Sequence, residues 1–306
     1  VIFTSQKNNF FKIFITFFLT SIQLNAFPVI EEKKIAKQKR EEIPLPKDFI
    51  YKGEPIHPFC FMHDLFSDFY EKSLLSCTPK SQNKWKDELE KDPIRKDALK
   101  HFHEGFEDPK TQEFLFYQYL GHLSSGRHLL YIMVGNFNTK GRFSAIGIVQ
   151  RKKDRISFLP IIVGDRANGG ISDVFFKNGI LKYRTHVTPR ALFDFWQIFS
   201  GVSNLSDIDP STLQDCALCE NAAIEWEVPE SSLNNLYQPN QIVKIFLSAE
   251  KNHLPRSPVL PHPKTLQECF DFAYEERISQ GIDSFSLEDL NSFFDQVFSI
   301  YRRHNF

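Results

Sequence analysis

Six short runs between residues 114 and 187 constrain the fold of this chain more than anything else in it. Residues 114–120, 128–134, 143–150, 156–163, 171–177 and 180–187 are rich in β-branched and aromatic side chains and read as strands. The connections between them are short and carry turn chemistry: Ser124, Ser125 and Gly126; Asn138 to Gly141; Lys152, Lys153 and Asp154. Asn178 followed by Gly179 is the sharpest of these signals, because both residues accept the positive φ that a type I′ hairpin turn demands. Short connections force neighbouring strands to run antiparallel. The expectation is an α+β protein, built on an antiparallel β-meander or partly closed barrel of about six to eight strands. Runs at 222–228 and 241–247 would extend or close the sheet.

Helices flank this region. Thr188 before Pro189 is an N-cap followed by a proline at the first helical position, and Leu192, Phe193, Trp196 and Phe199 give one apolar stripe. Near the C-terminus, Leu266, Cys269, Phe270, Ala273, Tyr274 and Ile278 follow helical spacing, with Gly281 as the stop. Ser286 with Asp289 three residues on resembles a capping box, and Leu287, Leu290, Phe293, Phe294, Val297, Phe298 and Tyr301 form a wide apolar face that suits packing on a sheet. Residues 48–113 read as mixed, with helices expected at 64–75 and 85–103.

The N-terminal 26 residues read as a secretory signal peptide. Lys7 and Lys12 form a basic start, residues 13–22 an apolar core, and Ala26 a small residue at the expected cut. Ten apolar residues are too few to span a bilayer, which takes about 20, and no later stretch approaches that length. Val1 in place of Met reads as a non-AUG start and hence a bacterial gene. Residues 27–47, charged and proline-interrupted, read as a linker, leaving 48–306 as a single domain with its β core at 114–187 and C-terminal helices at 264–303. The expected location is periplasmic or secreted. Phe is over-used, with 32 of 306 residues, in keeping with AT-rich coding and a large core.

An oxidising compartment permits disulfides, and five cysteines leave at least one thiol unpaired. Cys60 and Cys77 form one plausible bridge. Cys216 and Cys219 form a CxxC whose acidic, strand-bounded setting fits neither a redox helix nor half of a zinc site, so a structural disulfide using one or both is expected. Cys269 falls on a helix's apolar face and reads as a buried thiol.

The formal net charge is −1, yet charge is distributed unevenly. Residues 127–190 hold 12 basic and 3 acidic side chains, a net of +9, whereas residues 191–306 hold 7 and 17, a net of −10. Two consequences are open. The acidic part compensates the basic part internally, or the basic β-region presents a surface for an anionic glycan, a lipid headgroup or an acidic protein. No aromatic interleaving of the kind that stacks bases accompanies it, so no nucleic-acid partner is expected.

One connection has the composition of a site. Gly164, Asp165, Arg166, Ala167, Asn168, Gly169 and Gly170 join two strands, and three glycines there permit unusual backbone geometry. Asp165, Arg166 and Asn168 are either the polar groups of an anion-binding nest or the hydrogen-bonding lock of a wide turn. Lys182, Arg184 and His186 alternate along the following hairpin and so share one strand face. Asp165, Arg166, Asn168, Lys182, Arg184 and His186 are therefore the candidate binding residues.

The stretch 141–189, GRFSAIGIVQRKKDRISFLPIIVGDRANGGISDVFFKNGILKYRTHVTP, resembles an uncharacterised family of exported bacterial proteins with a Gly-Asp-Arg-Cys-Asn-Gly-Gly loop, a second hairpin and a Thr-Pro helix start. The likeness spans about residues 114–228. It implies a β-rich periplasmic domain of no known activity. This chain has Ala167 where the family has Cys, so a family disulfide from that loop to the 216–219 region would be absent.

Catalytic and metal signatures are missing. The chain has no G-x-S-x-G, HExxH, P-loop or GxGxxG. His101 and His103 sit in a helical pattern where i and i+2 diverge, and no metal or cofactor is expected. Cys60 between His57 and His63 is better read as bridged than as a nucleophile, and Glu225 with Glu227 as a common same-face pair. The leading expectation is a non-enzymatic exported binding protein that uses the basic β-face. The alternatives are a periplasmic hydrolase around Asp165, Asp173 and His186, and a secreted effector of a host-associated bacterium.

Overall fold

The computed structural model describes residues 43–62, 71–77, 101–108, 110–136, 142–164, 170–202, 205, 207–215, 222–233, 242–247 and 262–305. Its strands are β1 (Ile50–Tyr51), β2 (Glu54–Pro55), β3 (Glu71–Ser73), β4 (Glu104–Glu107), β5 (Glu113–His122), β6 (His128–Asn136), β7 (Arg142–Lys152), β8 (Arg155–Gly164), β9 (Ile171–Lys177), β10 (Ile180–Val187), β11 (Ala222–Pro229), β12 (Ile242–Leu247) and β13 (Ser284–Phe285). Its helices are α1 (Leu74–Cys77), α2 (Pro189–Ser200), α3 (Leu266–Ser279) and α4 (Leu287–Asn305). The class is α+β, as the sequence leads one to expect, with the C-terminal helices packed on antiparallel sheet.

All six expected strand runs form, but they do not share one sheet. A six-stranded sheet runs β3-β8-β7-β6-β5-β4 and curls into a half-barrel, while β9 and β10 belong to a five-stranded sheet ordered β13-β12-β11-β10-β9. The break falls between β8 and β9. The tight turns behave as their residues dictate: Asn178 and Gly179 both take positive φ, 54° and 73°, and Lys153 (56°) and Gly126 (80°) do the same at the other tips. Two departures from the reading of residues 48–113 stand out. Glu71–Ser73 is a strand rather than the end of a helix, because it pairs with Arg155–Ser157 of β8 and tertiary pairing overrides its weak propensity. Residues 101–103 form a turn leading into β4, and the rest of 85–103 lies outside the described residues.

Each sheet shows how alternation builds the core. One face of the six-stranded sheet, with Tyr117, Tyr119, Leu130, Val149, Ile156 and Phe158, is covered by the segment 43–62 through Phe49, Ile56, Cys60 and Phe61. The Cys60–Cys77 disulfide, Cα atoms 5.1 Å apart, ties that segment to α1. The opposite face, with Leu120, Leu129, Tyr131, Ile146 and Ile148, packs on Val174, Leu181, Tyr183 and Val228 of the five-stranded sheet. Further along the same face of the five-stranded sheet, Val187, Ala222 and Ile224 meet the helices through Leu192, Phe193, Trp196, Phe270, Phe294 and Phe298. The five-stranded sheet thus has a single apolar face, shared between the other sheet and the helices.

The helix ends match their sequence signals. Thr188 caps α2 by accepting from the Ala191 N–H, and Gly201 closes it at φ 70°. Ser286 and Asp289 exchange the two hydrogen bonds of a capping box at α4. A second capping box, Thr265 with Glu268, opens α3, and its T-x-x-E pattern was available in the sequence. Among the described residues bulges interrupt four ladders: on β5 at Leu120 opposite Leu129 and Leu130, on β8 at Pro160 to Ile162 opposite Ile146 and Gly147, on β9 between Ser172 and Phe175 opposite Lys182 and Arg184, and on β12 at Val243 opposite Glu225 and Trp226. No helix among the described residues is long and apolar enough to cross a membrane.

Candidate functional site

Strand alternation puts Leu181, Tyr183, Thr185 and Val187 of β10 toward the core and Lys182, Arg184 and His186 on the opposite face, which contributes to none of the apolar clusters among the described residues. The three candidate residues on β10 therefore stand side by side. The register of β11 decides what they meet. Lys182 lies opposite Glu227 and Arg184 opposite Glu225. Lys182 forms an ion pair with Glu227. The Arg184 Nε and Nη2 both donate to Glu225 Oε2 at 3.1 Å, and its Nη1 donates to Asp173 Oδ2 at 3.0 Å.

Asp173 reaches Arg184 because of the bulge. It takes φ 49°, in the left-handed region that costs an L-residue about 1 kcal/mol or more. That turns its carboxylate onto the charged face although its sequence neighbour Ser172, opposite Arg184, already lies there. His186 is held by a hydrogen bond between its Nε2 and Ser172 Oγ at 2.8 Å. Lys177 and Lys244 hold register positions on the same side, opposite Ile180 and Glu225, and the basic stripe read from the sequence is accompanied there by the carboxylates of Asp173, Glu225 and Glu227. The complementary alternation of 182/184 and 225/227 is the signal that pairs them, and Ser172 was the member that sequence reasoning did not single out.

Asp165, Arg166 and Asn168 lie outside the described residues, but the two stems of their loop are placed. A Cβ on Gly164 would come within 2.8 Å of Gly170 and 2.7 Å of Ile171, so only glycine lets the stems approach this closely. The Ile171 N–H donates to Ser144 Oγ at 2.8 Å and the Tyr131 O–H donates to Ile171 O at 2.8 Å, fixing the start of β9 against the six-stranded sheet. The His186 N–H donates to Gly170 O, so the loop springs from the His186 end of the charged face.

Of the candidate disulfide cysteines, Cys60 and Cys77 are bridged, while Cys216 and Cys219 lie outside the described residues. Their flanks are fixed: Asp215 accepts from the Thr188 hydroxyl at 2.8 Å, and Ala222 pairs with Val187. Cys269 is a fully buried free thiol whose pKa burial, with Glu268 beside it, pushes up to about 11, so it is inert as a nucleophile.

A second polar cluster, missed in the sequence because its members are far apart along the chain, lies where the segment 43–62 docks. The Tyr119 N–H donates to His103 Nδ1 at 3.0 Å, and His103 Nε2 meets Ile43 O at 2.6 Å. His128 is buried, with Nε2 3.0 Å from Asp48 Oδ2 and Nδ1 3.4 Å from the Tyr119 hydroxyl. The Arg151 Nη1 donates to the carbonyls of Lys47, Asp48 and Ile50, gripping the turn that carries Asp48. His57 Nδ1 accepts from the Phe59 N–H at 3.3 Å, while its Nε2 is buried without a partner among the described residues, as is the Tyr117 hydroxyl. Burial holds the His57 pKa down to about 4, and burial together with Glu104 pushes the Tyr117 phenol well above its usual range. Among the described residues no group of three His, Cys, Asp or Glu side chains is placed to hold a metal ion. Comparison with protein-family models, with curated proteins and with solved structures finds no match to this chain.

Proposed function

We propose that this is an exported, non-enzymatic binding protein that works through the polar face of its five-stranded sheet. The observation that supports this reading is the arrangement of Lys182, Arg184 and His186 as a same-face ladder along one strand, a form suited to contact with an extended partner. The Arg184 guanidinium is held in one orientation by Glu225 and Asp173, and orientation fixed in advance lowers the entropy cost of binding. The partner class is an anionic glycan, a lipid headgroup or an acidic protein, each of which would compete with these carboxylates for Arg184. The Cys60–Cys77 bridge, buried at Cys60 and half-buried at Cys77, supports export, since such bridges persist in oxidising compartments.

Glycan and lipid arrays probed at low and high salt test the reading. Binding should weaken with salt, fall with Arg184→Met, and rise with Glu225→Gln and Glu227→Gln, which remove the competing carboxylates. Binding indifferent both to salt and to Arg184→Met would overturn it. The 2.8 Å contact between Ser172 and His186 favours a second reading, the hydrolase around Asp165, Asp173 and His186. Covalent labelling of Ser172 by a fluorophosphonate, lost in His186→Gln, is its expected signature.

A further inference from the structure

We infer that the segment 43–62 is an acid-sensitive clasp, because its docking on the six-stranded sheet uses histidines that must be neutral to make the hydrogen bonds they make. The inference goes beyond the binding reading and stands without it. A protonated imidazole is donor-only at both nitrogens. His103 accepts the Tyr119 N–H at Nδ1 and so carries its proton at Nε2, where it donates to Ile43 O. Protonating Nδ1 sets two donors against each other at Tyr119 and so removes the contact that fixes the ring holding Ile43 O. His57 likewise accepts the Phe59 N–H at Nδ1, capping the 3-10 turn Pro58–Phe61 from within the clasp itself. Its ring lies against Phe59 and Phe106, with centroids 4.8 and 5.9 Å away, and is 8 % exposed. A charge there loses its hydration and gains no acceptor.

The surrounding groups set the sign. Glu104 of β4 and Tyr117 of β5 lie on the sheet face beneath the clasp, and Lys72 of β3 donates to Phe59 O. His128 of β6 faces the clasp's Asp48, its Nε2 3.0 Å from Asp48 Oδ2, and Asp48 is 59 % exposed, so solvent screening keeps that pair's contribution small. The His122 ring stands beside that of His128, with centroids 5.1 Å apart. His57 is neutral in the docked state down to about pH 4 and titrates near 6.5 when freed, so docking weakens as pH falls through that window and levels off below it. The disulfide to Cys77 keeps a loosened clasp attached.

Amide hydrogen exchange on the full chain, corrected for intrinsic rates, tests this. Between about pH 7 and about pH 4.5, protection at residues 49–62 should fall by about tenfold or more, while amides of α3 and α4 hold theirs. His57→Asn keeps an acceptor at the cap and cannot titrate. Combined with His103→Gln, it should flatten the pH dependence. Clasp protection unchanged with pH, parallel loss in the helices, or a pH dependence that survives intact in the double variant would each overturn the inference.

Discussion

Opening the Cys60–Cys77 bridge tests most directly how the segment 43–62 is held. The bridge closes a loop with a sequence separation of 17. Chain-closure entropy for a loop of that size is worth about 3 kcal/mol at room temperature. For a domain of this size each kcal/mol moves the melting temperature by roughly 2–4 °C, so reduction should lower it by roughly 6–12 °C. Cys60 is fully buried among Phe49, Phe61 and Leu74, so Cys60→Ala/Cys77→Ala adds a transfer and cavity term and should fall at the upper end of that range or beyond it. The assay is calorimetry or denaturant titration of the oxidised protein, the reduced protein and the double variant. The double variant must be indifferent to reductant for the effect to belong to this bridge. A drop under about 2 °C on reduction would mean that packing alone holds the segment, and the structural argument for an oxidising compartment would fall with it.

Gly147 faces Phe158, and a Cβ there would lie 2.3 Å from its ring and 2.7 Å from Leu159 O. With Phe158 only 2 % exposed, Gly147→Ala should cost about 2–3 kcal/mol by urea midpoint, and a neutral result would show that the ring has room to retreat. Ser144→Ala leaves the Ile171 N–H buried without its acceptor. It should cost about 1–3 kcal/mol and speed exchange at Ile171 ahead of the rest of β9, whereas uniform acceleration along β9 would place the loss elsewhere.

The strands from Glu113 to Val187 were legible because each carries β-type side chains between turn residues whose chemistry admits one geometry. The split into two sheets was not, because a connection through Gly164 and Gly170 reads the same whether it reverses a strand in its own sheet or delivers it to the next. Glu71–Ser73 was illegible as a strand, since nothing but the edge of β8 gives it a reason to extend. At the polar face, the alternation of Lys182, Arg184 and His186 announced a shared surface, and that of Glu225 and Glu227 a same-face pair, but the register that makes the one the counter-charge of the other is a tertiary fact. Asp173 joined them through a left-handed backbone that composition does not encode. The histidines at the clasp were invisible for a different reason: His57, His103 and His128 become neighbours only when an irregular segment without periodicity docks across the sheet.

The bulges on β8 and β9 have a consequence for self-association. Beyond its short pairing with β3, the outer side of β8 meets no strand among the described residues, and β9 is the border of its own sheet. Borders of this kind recruit further strands from identical chains or stray peptides when they offer an even row of donors and acceptors. Here the β8 row is broken by Pro160, which has no N–H, and by the extra residue at Ile161. The β9 row is broken where Asp173 turns its backbone the other way. The residue that steadies Arg184 therefore also helps keep the fold from propagating sideways into a fibre.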